Sequence, residues 1–363
     1  MRIIIDSKIP FIQGALDEVA QVEYLSPEKI TNDAVRSADA LIIRTRTRCD
    51  ERLLAGTKVR FIASATAGFD HIDTQYCKNH NIHWANAPRC NALAVTQYIA
   101  SVLSFFIRRN HHLNPSTKTI GIVGVGEIGS RVEKLARQLG FKALLNDPPR
   151  ARAEGDHNFV SLDKICTDAD IITFHTPLTF DGIDKTYHLA NKYFFDKLKR
   201  KQIIINTARG EIIDTKELTL HVKVRKISHL VIDCWENEPQ VNKSLLTMAT
   251  LATPHIAGYS ADAKAKAAEQ CVQAVSRFFD LNKDRWKAID LPDIAYLSQL
   301  QQMKPDYFYL KTFDIEHESK ILKFAPNSFE EQREKTALRR EPKAYFNHIN
   351  YNLIKQLGDF WQD

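Results

Sequence analysis

The segment Ile120-Gly121-Ile122-Val123-Gly124-Val125-Gly126-Glu127-Ile128-Gly129 restricts the possible folds of this chain more than any other stretch. A β-branched run passes directly into G-x-G-x-x-G. The following SRVEKLARQLG places Val132, Leu135, Ala136 and Leu139 on one helical face, and KALLND then ends a second strand on Asp147. Strand, glycine turn, helix, strand and acid in that order are the fingerprint of a dinucleotide-binding unit. In such a unit Gly124 makes the tight turn, Gly126 admits a pyrophosphate to the backbone and Gly129 lets the helix lie close to the sheet. The helix N-terminus supplies N–H groups to the anion. Asp147 is placed to accept from the adenosine ribose hydroxyls, and its charge favours NAD over NADP. Arg150 and Arg152 lie nearby and read as solvated loop charges.

The same alternation runs through most of the chain. RIIID (2–6), ALIIRT (40–45), VRFIAS (59–64), KALLND (142–147), DIITFH (170–175), QIIINTA (202–208) and LVIDCW (230–235) are short β-branched runs separated by helical patterns. This predicts parallel sheets with crossover helices. NALAVTQYIASVLSFFIRRN (91–110) is apolar on nearly every face and reads as a long buried helix joining two domains. A second helix is expected near 260–280, with Ala268, Cys271, Val272, Val275 and Phe279 at helical spacing. The expected organisation is a first domain of residues 1–95 and 258–284, a Rossmann-type domain of 96–257 inserted in it, and a third, smaller unit of 285–363. In that tail LPD, KPD, APN and REPK punctuate mixed strand-like and helical pieces, and SFEEQREKTALRRE reads as a solvated face.

Composition excludes several functions. The 50 basic and 44 acidic residues leave a net charge of +6 with no single-sign block, so no nucleic-acid partner is expected. No apolar run is long enough to span a bilayer, and MRIIIDSKIP reads as a first strand and not as a signal peptide, so a cytoplasmic protein without a membrane partner is expected. The six cysteines form no C-x-x-C pair, so neither a metal site nor a disulfide framework is expected.

Polar residues gather after three later strands, in INTARGEIID (205–214), VIDCWENEPQ (231–240) and TPHIAGYS (253–260). Ligands of open α/β sheets bind at such strand ends. Taken singly, Arg209 is a surface arginine, Glu238 a solvated loop acid and His255 a structural histidine. Taken in order after a dinucleotide motif, they become a carboxylate grip, an orienting acid and an acid–base.

With ATAGFDHID (65–73), APRCNALAV (87–95), GIVGVGEIGSR (121–131), NDPPR (146–150), FHTPLTFDG (174–182) and PHIAGYS (254–260), the chain resembles the D-2-hydroxyacid dehydrogenase family. The double proline after Asp147 and Tyr259 after the histidine's glycine narrow the likeness to one branch, whose substrate is a small phosphorylated 2-hydroxy acid. The resemblance implies an α/β protein with a Rossmann-type NAD-binding domain inserted in a flavodoxin-like substrate-binding domain. It also implies a small α+β C-terminal domain that pairs two chains into a homodimer. Arg209, Glu238 and His255 are implied as catalytic. Gly124, Gly126, Glu127, Ile128, Gly129, Asp147, Thr176, Thr207, Ala208, Arg209, Asp233 and Gly258 are implied to hold NAD, with Asp233 on the carboxamide. Thr45, Thr66 and Tyr259 are implied to touch substrate. For the phosphate, IIRTRTR (42–48) offers Arg44 or Arg46, with strand alternation placing Arg44, Arg46 and Arg48 on one side unless the strand ends there. Two other readings stay open: a 3-phosphoglycerate or hydroxypyruvate dehydrogenase of the same family, and an NAD-sensing binding protein.

Overall fold

A computed structural model describes residues 1–109, 113–199, 201–294 and 303–361. Asn110, at the end of the expected joining helix, lies outside the described residues, as do 295–302 and 362–363 of the expected tail. The chain forms two compact units, Met1–Asn91 with Tyr259–Asp293, and Ala92–Gly258 with Ile294–Asp363.

The first unit is built on five parallel strands, β1 (Arg2–Asp6), β2 (Gln21–Leu25), β3 (Ala40–Ile43), β4 (Phe61–Ser64) and β5 (His83–Ala85), in the order β2-β1-β3-β4-β5. This is the flavodoxin-like order. Ile3, Ile4 and Ile5 are all fully buried because both faces of a parallel sheet are covered. Ile3, Ile5, Ile42 and Ala63 pack on Ala268, Cys271, Val272 and Val275 of the helix Ala261–Phe279, while Ile4, Leu41, Ile43 and Ile62 form a second core.

The second unit holds six parallel strands, β6 (Thr119–Val123), β7 (Lys142–Asn146), β8 (Ile171–Phe174), β9 (Gln202–Asn206), β10 (Ile227–Ile232) and β11 (Leu251–Ala252), ordered β11-β10-β9-β8-β6-β7. Strand β6 pairs with both β7 and β8, so the chain winds one way from β6 to β7 and the other way from β8 onward. The glycine turn leaves β6 at this switch point, where ligands of such sheets bind. The next three strand ends, β9, β10 and β11, lie side by side in register, with Asn206 opposite Ile232 and Ile232 opposite Ala252.

The tail departs from its expected form. Its described elements are helices, Pro305–Thr312, Ile315–Phe324, Phe329–Lys335 and Tyr351–Leu357, with 3₁₀ turns between them and none of the named strands. It does not stand apart from the second unit: Leu322 and Phe329 are part of that unit's core, together with Ala252 and Leu246. Nor is SFEEQREKTALRRE a solvated face: Phe329, Gln332, Arg339 and Glu341 are buried. The long helix Ala92–Arg109 belongs to this unit and buries Gln97 and Ser101 as well as its apolar residues. The tail satisfies those polar groups, Ser101 Oγ donating to the Tyr309 carbonyl at 3.0 Å and Gln97 Nε2 to the Arg340 carbonyl at 3.0 Å.

Candidate active site

At the switch point the backbone is shaped for an anion. Gly124 has φ +85, and a Cβ there would lie 2.7 Å from the Thr176 nitrogen. A Cβ on Gly129 would lie 2.0 Å from the Gly124 carbonyl oxygen, so helix Glu127–Gln138 can seat against the turn only with glycine there. Gly126 differs: it is exposed, and nothing lies within 4 Å of where its Cβ would be. As N-cap it brings no side chain to the helix's first N–H groups. Glu127 is taken by Arg131 at 2.9 Å and Ile128 is half-buried, so these two offer an anion their backbone N–H groups.

Asp147, past β7, has two backbone bonds. Its Oδ2 accepts from Val125 N at 2.8 Å, and its Oδ1 accepts from Arg150 N at 3.1 Å as the N-cap of helix Pro148–Glu154. Each oxygen keeps a lone pair for a ribose hydroxyl. Arg150 and Arg152 are not loose loop charges. Arg150 is paired with Glu154 at 2.7 Å in a helical i,i+4 contact and donates to the Val125 carbonyl, and Arg152 is paired with Asp184.

Beside the turn, Thr176 Oγ1 is buried and has no hydrogen-bond partner among the described residues. An orphaned hydroxyl next to an open glycine turn fits a polar ligand. His175 supports the same wall. Burial pushes its imidazole down to about 3, so it is neutral, and it is hydrogen-bonded to Thr173 at 3.0 Å and Thr207 at 3.4 Å. These features fit NAD along Gly124–Gly129, Asp147, Thr176 and the Thr207–Arg209 backbone.

The three strand ends carry the remaining groups. After β9, Asn206 organises the turn by donating to the Arg209 carbonyl at 2.9 Å and accepting from Ala208 N at 3.1 Å. Gly210 packs so closely that a Cβ would fall 1.9 Å from the Trp235 carbonyl carbon, which holds the Arg209 turn against the loop after β10. Arg209 is half-buried and donates to the Ala208 carbonyl at 2.8 Å. In the β10 loop, Glu238 accepts from Trp235 N at 3.2 Å and meets His255 Nδ1 at 2.6 Å. Burial alone would raise the Glu238 carboxyl, but the His255 imidazole and, with less effect, Arg333 hold it below the usual carboxylate value. An ionised carboxylate only accepts, so Nδ1 carries the proton and Nε2 is the nitrogen not held by Glu238.

His255 sits at φ +56, in left-handed backbone that a residue with a Cβ seldom adopts. Its turn is held by Asp233, which is fully buried. Asp233 accepts from Thr253 Oγ1 at 2.7 Å, Ile256 N at 2.8 Å and Ala257 N at 3.0 Å, while its carbonyl accepts from His255 N at 2.8 Å. Burial raises its carboxyl, and His255 and these donors only partly offset that. Sequence reasoning gave Asp233 a cofactor contact and missed this structural work. It also missed Tyr98, whose hydroxyl is 2.6 Å from Thr253 Oγ1. A tyrosine at helical spacing in an apolar run carries no sign of such a partner. Gly258, half-buried, closes the unit.

In the first unit β3 ends at Ile43, and residues 44–47 form a turn in which Thr47 N donates to the Arg44 carbonyl at 3.1 Å. Alternation therefore does not govern the arginines. The Arg44 guanidinium grips the fully buried Asp6 at 2.7 and 3.3 Å. Thr45 and Arg46 are exposed, and Arg48 pairs with Asp50 at 3.0 Å. Thr66 Oγ1 lies 2.7 Å from Ser64 Oγ and donates to the Gly68 carbonyl at 2.9 Å, and the Tyr259 ring is covered by Lys264 Nζ at 3.6 Å.

Residues 104–257 match the NAD-binding domain of the D-isomer specific 2-hydroxyacid dehydrogenases. The chain is 48% identical to the erythronate-4-phosphate dehydrogenase of Bacteroides thetaiotaomicron, with 95% of this chain and 98% of that protein covered. It is 41% identical to the enzyme of that name from Porphyromonas gingivalis, with 95% of each covered. Among solved structures, D-lactate dehydrogenase from Aquifex aeolicus with NAD and lactic acid superposes with a TM-score of 0.65 at 24% identity, covering 80% of this chain and 100% of that one.

Proposed function

The chain belongs to the erythronate-4-phosphate dehydrogenases, within the D-isomer specific 2-hydroxyacid dehydrogenases, and from that membership we propose that it oxidises 4-phospho-D-erythronate to 2-oxo-3-hydroxy-4-phosphobutanoate with NAD, a step of pyridoxal 5'-phosphate biosynthesis. The observation that carries the chemistry is the 2.6 Å bond between Glu238 and His255 on strand ends adjacent to the Arg209 turn.

NAD held along the Gly124–Gly129 turn would supply the hydride acceptor for C2. Arg209 binds the C1 carboxylate through two parallel N–H bonds and fixes C2 before the imidazole. His255 takes the C2 hydroxyl proton on Nε2, and the Glu238 carboxylate stabilises the imidazolium that forms. General-base help of this kind is worth roughly 10²- to 10⁴-fold. Gly124, Gly126, the Glu127–Gly129 backbone, Asp147, Thr176, Thr207, Ala208 and Gly258 line the cofactor, and Asp233 serves the carboxamide. Thr45, Thr66 and Tyr259 contact the substrate, and Arg46, exposed in the turn after β3, reads its phosphate.

The test is a single turnover of purified protein with NAD and 4-phosphoerythronate, following NADH absorbance together with the 2-oxo acid product. Formation of both in equal amounts is expected. Faster turnover of 3-phosphoglycerate would overturn the substrate assignment, and NAD binding without reduction would overturn the enzymatic one.

A further inference from the structure

His255 is held at positive φ, a strained conformation that persists only where its surroundings over-determine it. Asp233 restrains the turn from its N–H side. The carbonyl side is restrained by a residue from the far end of the chain. Arg339 Nη2 donates to the Ala257 carbonyl at 2.6 Å, and Nη1 donates to the Ile256 carbonyl at 3.3 Å. The rest of the guanidinium is anchored on the long helix, Nε on Gln97 Oε1 at 2.9 Å and Nη2 on the Ala94 carbonyl at 2.9 Å, with the Phe313 ring 4.1 Å from its carbon. Burial brings its pKa down to about 10, which still leaves it charged at neutral pH. The tail also supports the strand that leads into the turn: Ser319 Oγ accepts from Ala252 N at 2.9 Å, and Lys323 donates to the Thr250 carbonyl at 3.3 Å.

We propose that Arg339 is a positioning residue for catalysis, clamping the Ile256 and Ala257 carbonyls so that His255 stays in register with Glu238, and that the C-terminal segment is thereby part of the catalytic apparatus. The proposal rests on the reading of His255 as the acid–base. Only a planar fork serves four acceptors in these directions, so lysine is no substitute although it keeps the charge.

The experiment compares the native chain with Arg339→Ala and Arg339→Lys, all in full-length protein and normalised to titrated NAD sites. Displacing a reacting group by about 1 Å costs about 10²-fold in rate, so kcat should fall roughly 10- to 100-fold in both variants. KM and the NAD dissociation constant should change by less than about threefold, and added methylguanidinium should restore part of kcat in Arg339→Ala. If Arg339→Ala fails to fold, Arg339→Lys decides. A normal kcat per NAD site in the variant that folds overturns the proposal, since a residue that only stabilises the fold lowers the number of sites and not their rate. Should the native chain not oxidise 4-phosphoerythronate, the reaction assignment fails separately. Arg339 is then judged by the low-field NMR resonance of the His255 Nδ1 proton, which should be present in the native chain and lost in Arg339→Lys. Its retention overturns the clamp.

Discussion

Glu238 illustrates how a single residue's environment sets both stability and pH response. Its carboxyl is held below the ordinary value by His255 and Arg333 in spite of burial. A depressed carboxyl stabilises the fold above its unfolded pKa, near 4.3, and loses that contribution as pH falls through the folded value. The stability difference between native protein and Glu238→Gln, measured by urea unfolding, should therefore shrink across the acid range below about pH 4.3; a constant difference would mean that the charge plays no part. In activity, Glu238→Gln should move the acid limb of kcat/KM to lower pH, because imidazolium loses its negative partner. His255→Ala and Arg209→Ala should lose most turnover yet bind NAD, which fluorescence titration can check. The two arginines of the first unit separate by the same reasoning. Arg46→Ala should raise KM for the phosphorylated acid about 10- to 150-fold, since charge-assisted bonds to phosphate contribute about 1.5 to 3 kcal/mol each, and should barely affect an unphosphorylated 2-hydroxy acid. Arg44→Ala strands a fully buried Asp6, which costs about 3 kcal/mol, the low end for a broken buried pair, and should appear as a lower Tm.

Among the elements, the glycine turn offers a clean separation of folding from binding. Gly129→Ala drives a methyl onto the Gly124 carbonyl and should destabilise the unit, whereas Gly126→Ala meets nothing within 4 Å. Gly126→Ala should thus keep its Tm but weaken NAD binding at least tenfold if pyrophosphate lies over that residue, and unchanged affinity would remove the cofactor from the turn. This turn and its flanking strands were legible in the sequence because their determinants are local: β-branched runs, small residues at fixed spacing and an apolar helical face. Strands β2 and β5 were not. They are edge strands of five and three residues, whereas the two-residue β11 (Leu251–Ala252), expected ahead of TPHIAGYS, is held by β10 beside it and by Ser319 from the tail. The site shows the same divide. Arg209, Glu238 and His255 follow strands in sequence order and could be read from it. Arg339 sits in a run of mixed charges, and its acceptors lie 82 to 245 residues away in the chain, so its burial has no local signature.

At the scale of the whole molecule the open matter is what the tail's outer surface does. The resemblance implies a homodimer through this segment, but the tail's inner side is already committed: Leu322 and Phe329 lie in the second unit's core, and Trp361 is buried with its indole N–H donating to the Tyr309 hydroxyl at 3.1 Å. Deleting residues 286–363 would open that core as well as remove any interface. Loss of soluble protein is therefore the expected result, and it says nothing about pairing. A surface change is the better probe. On helix Ile315–Phe324 the side chains of Ile315, Ser319 and Leu322 face inward, whereas Ile321 and Phe324, neighbours at i and i+3, are 38% and 93% exposed. A phenylalanine left that open on an amphipathic helix is suited to a partner surface, and in a symmetric pair the same patch meets its copy. The double substitution Ile321→Glu and Phe324→Glu removes the apolar pair without touching the core. Light scattering should give the mass of two chains for the native protein and of one for the variant, with Tm changed by only a few degrees, because neither side chain is buried in the core. A variant that stays dimeric would move the interface to another part of the tail, and a native chain of monomer mass would remove the homodimer altogether.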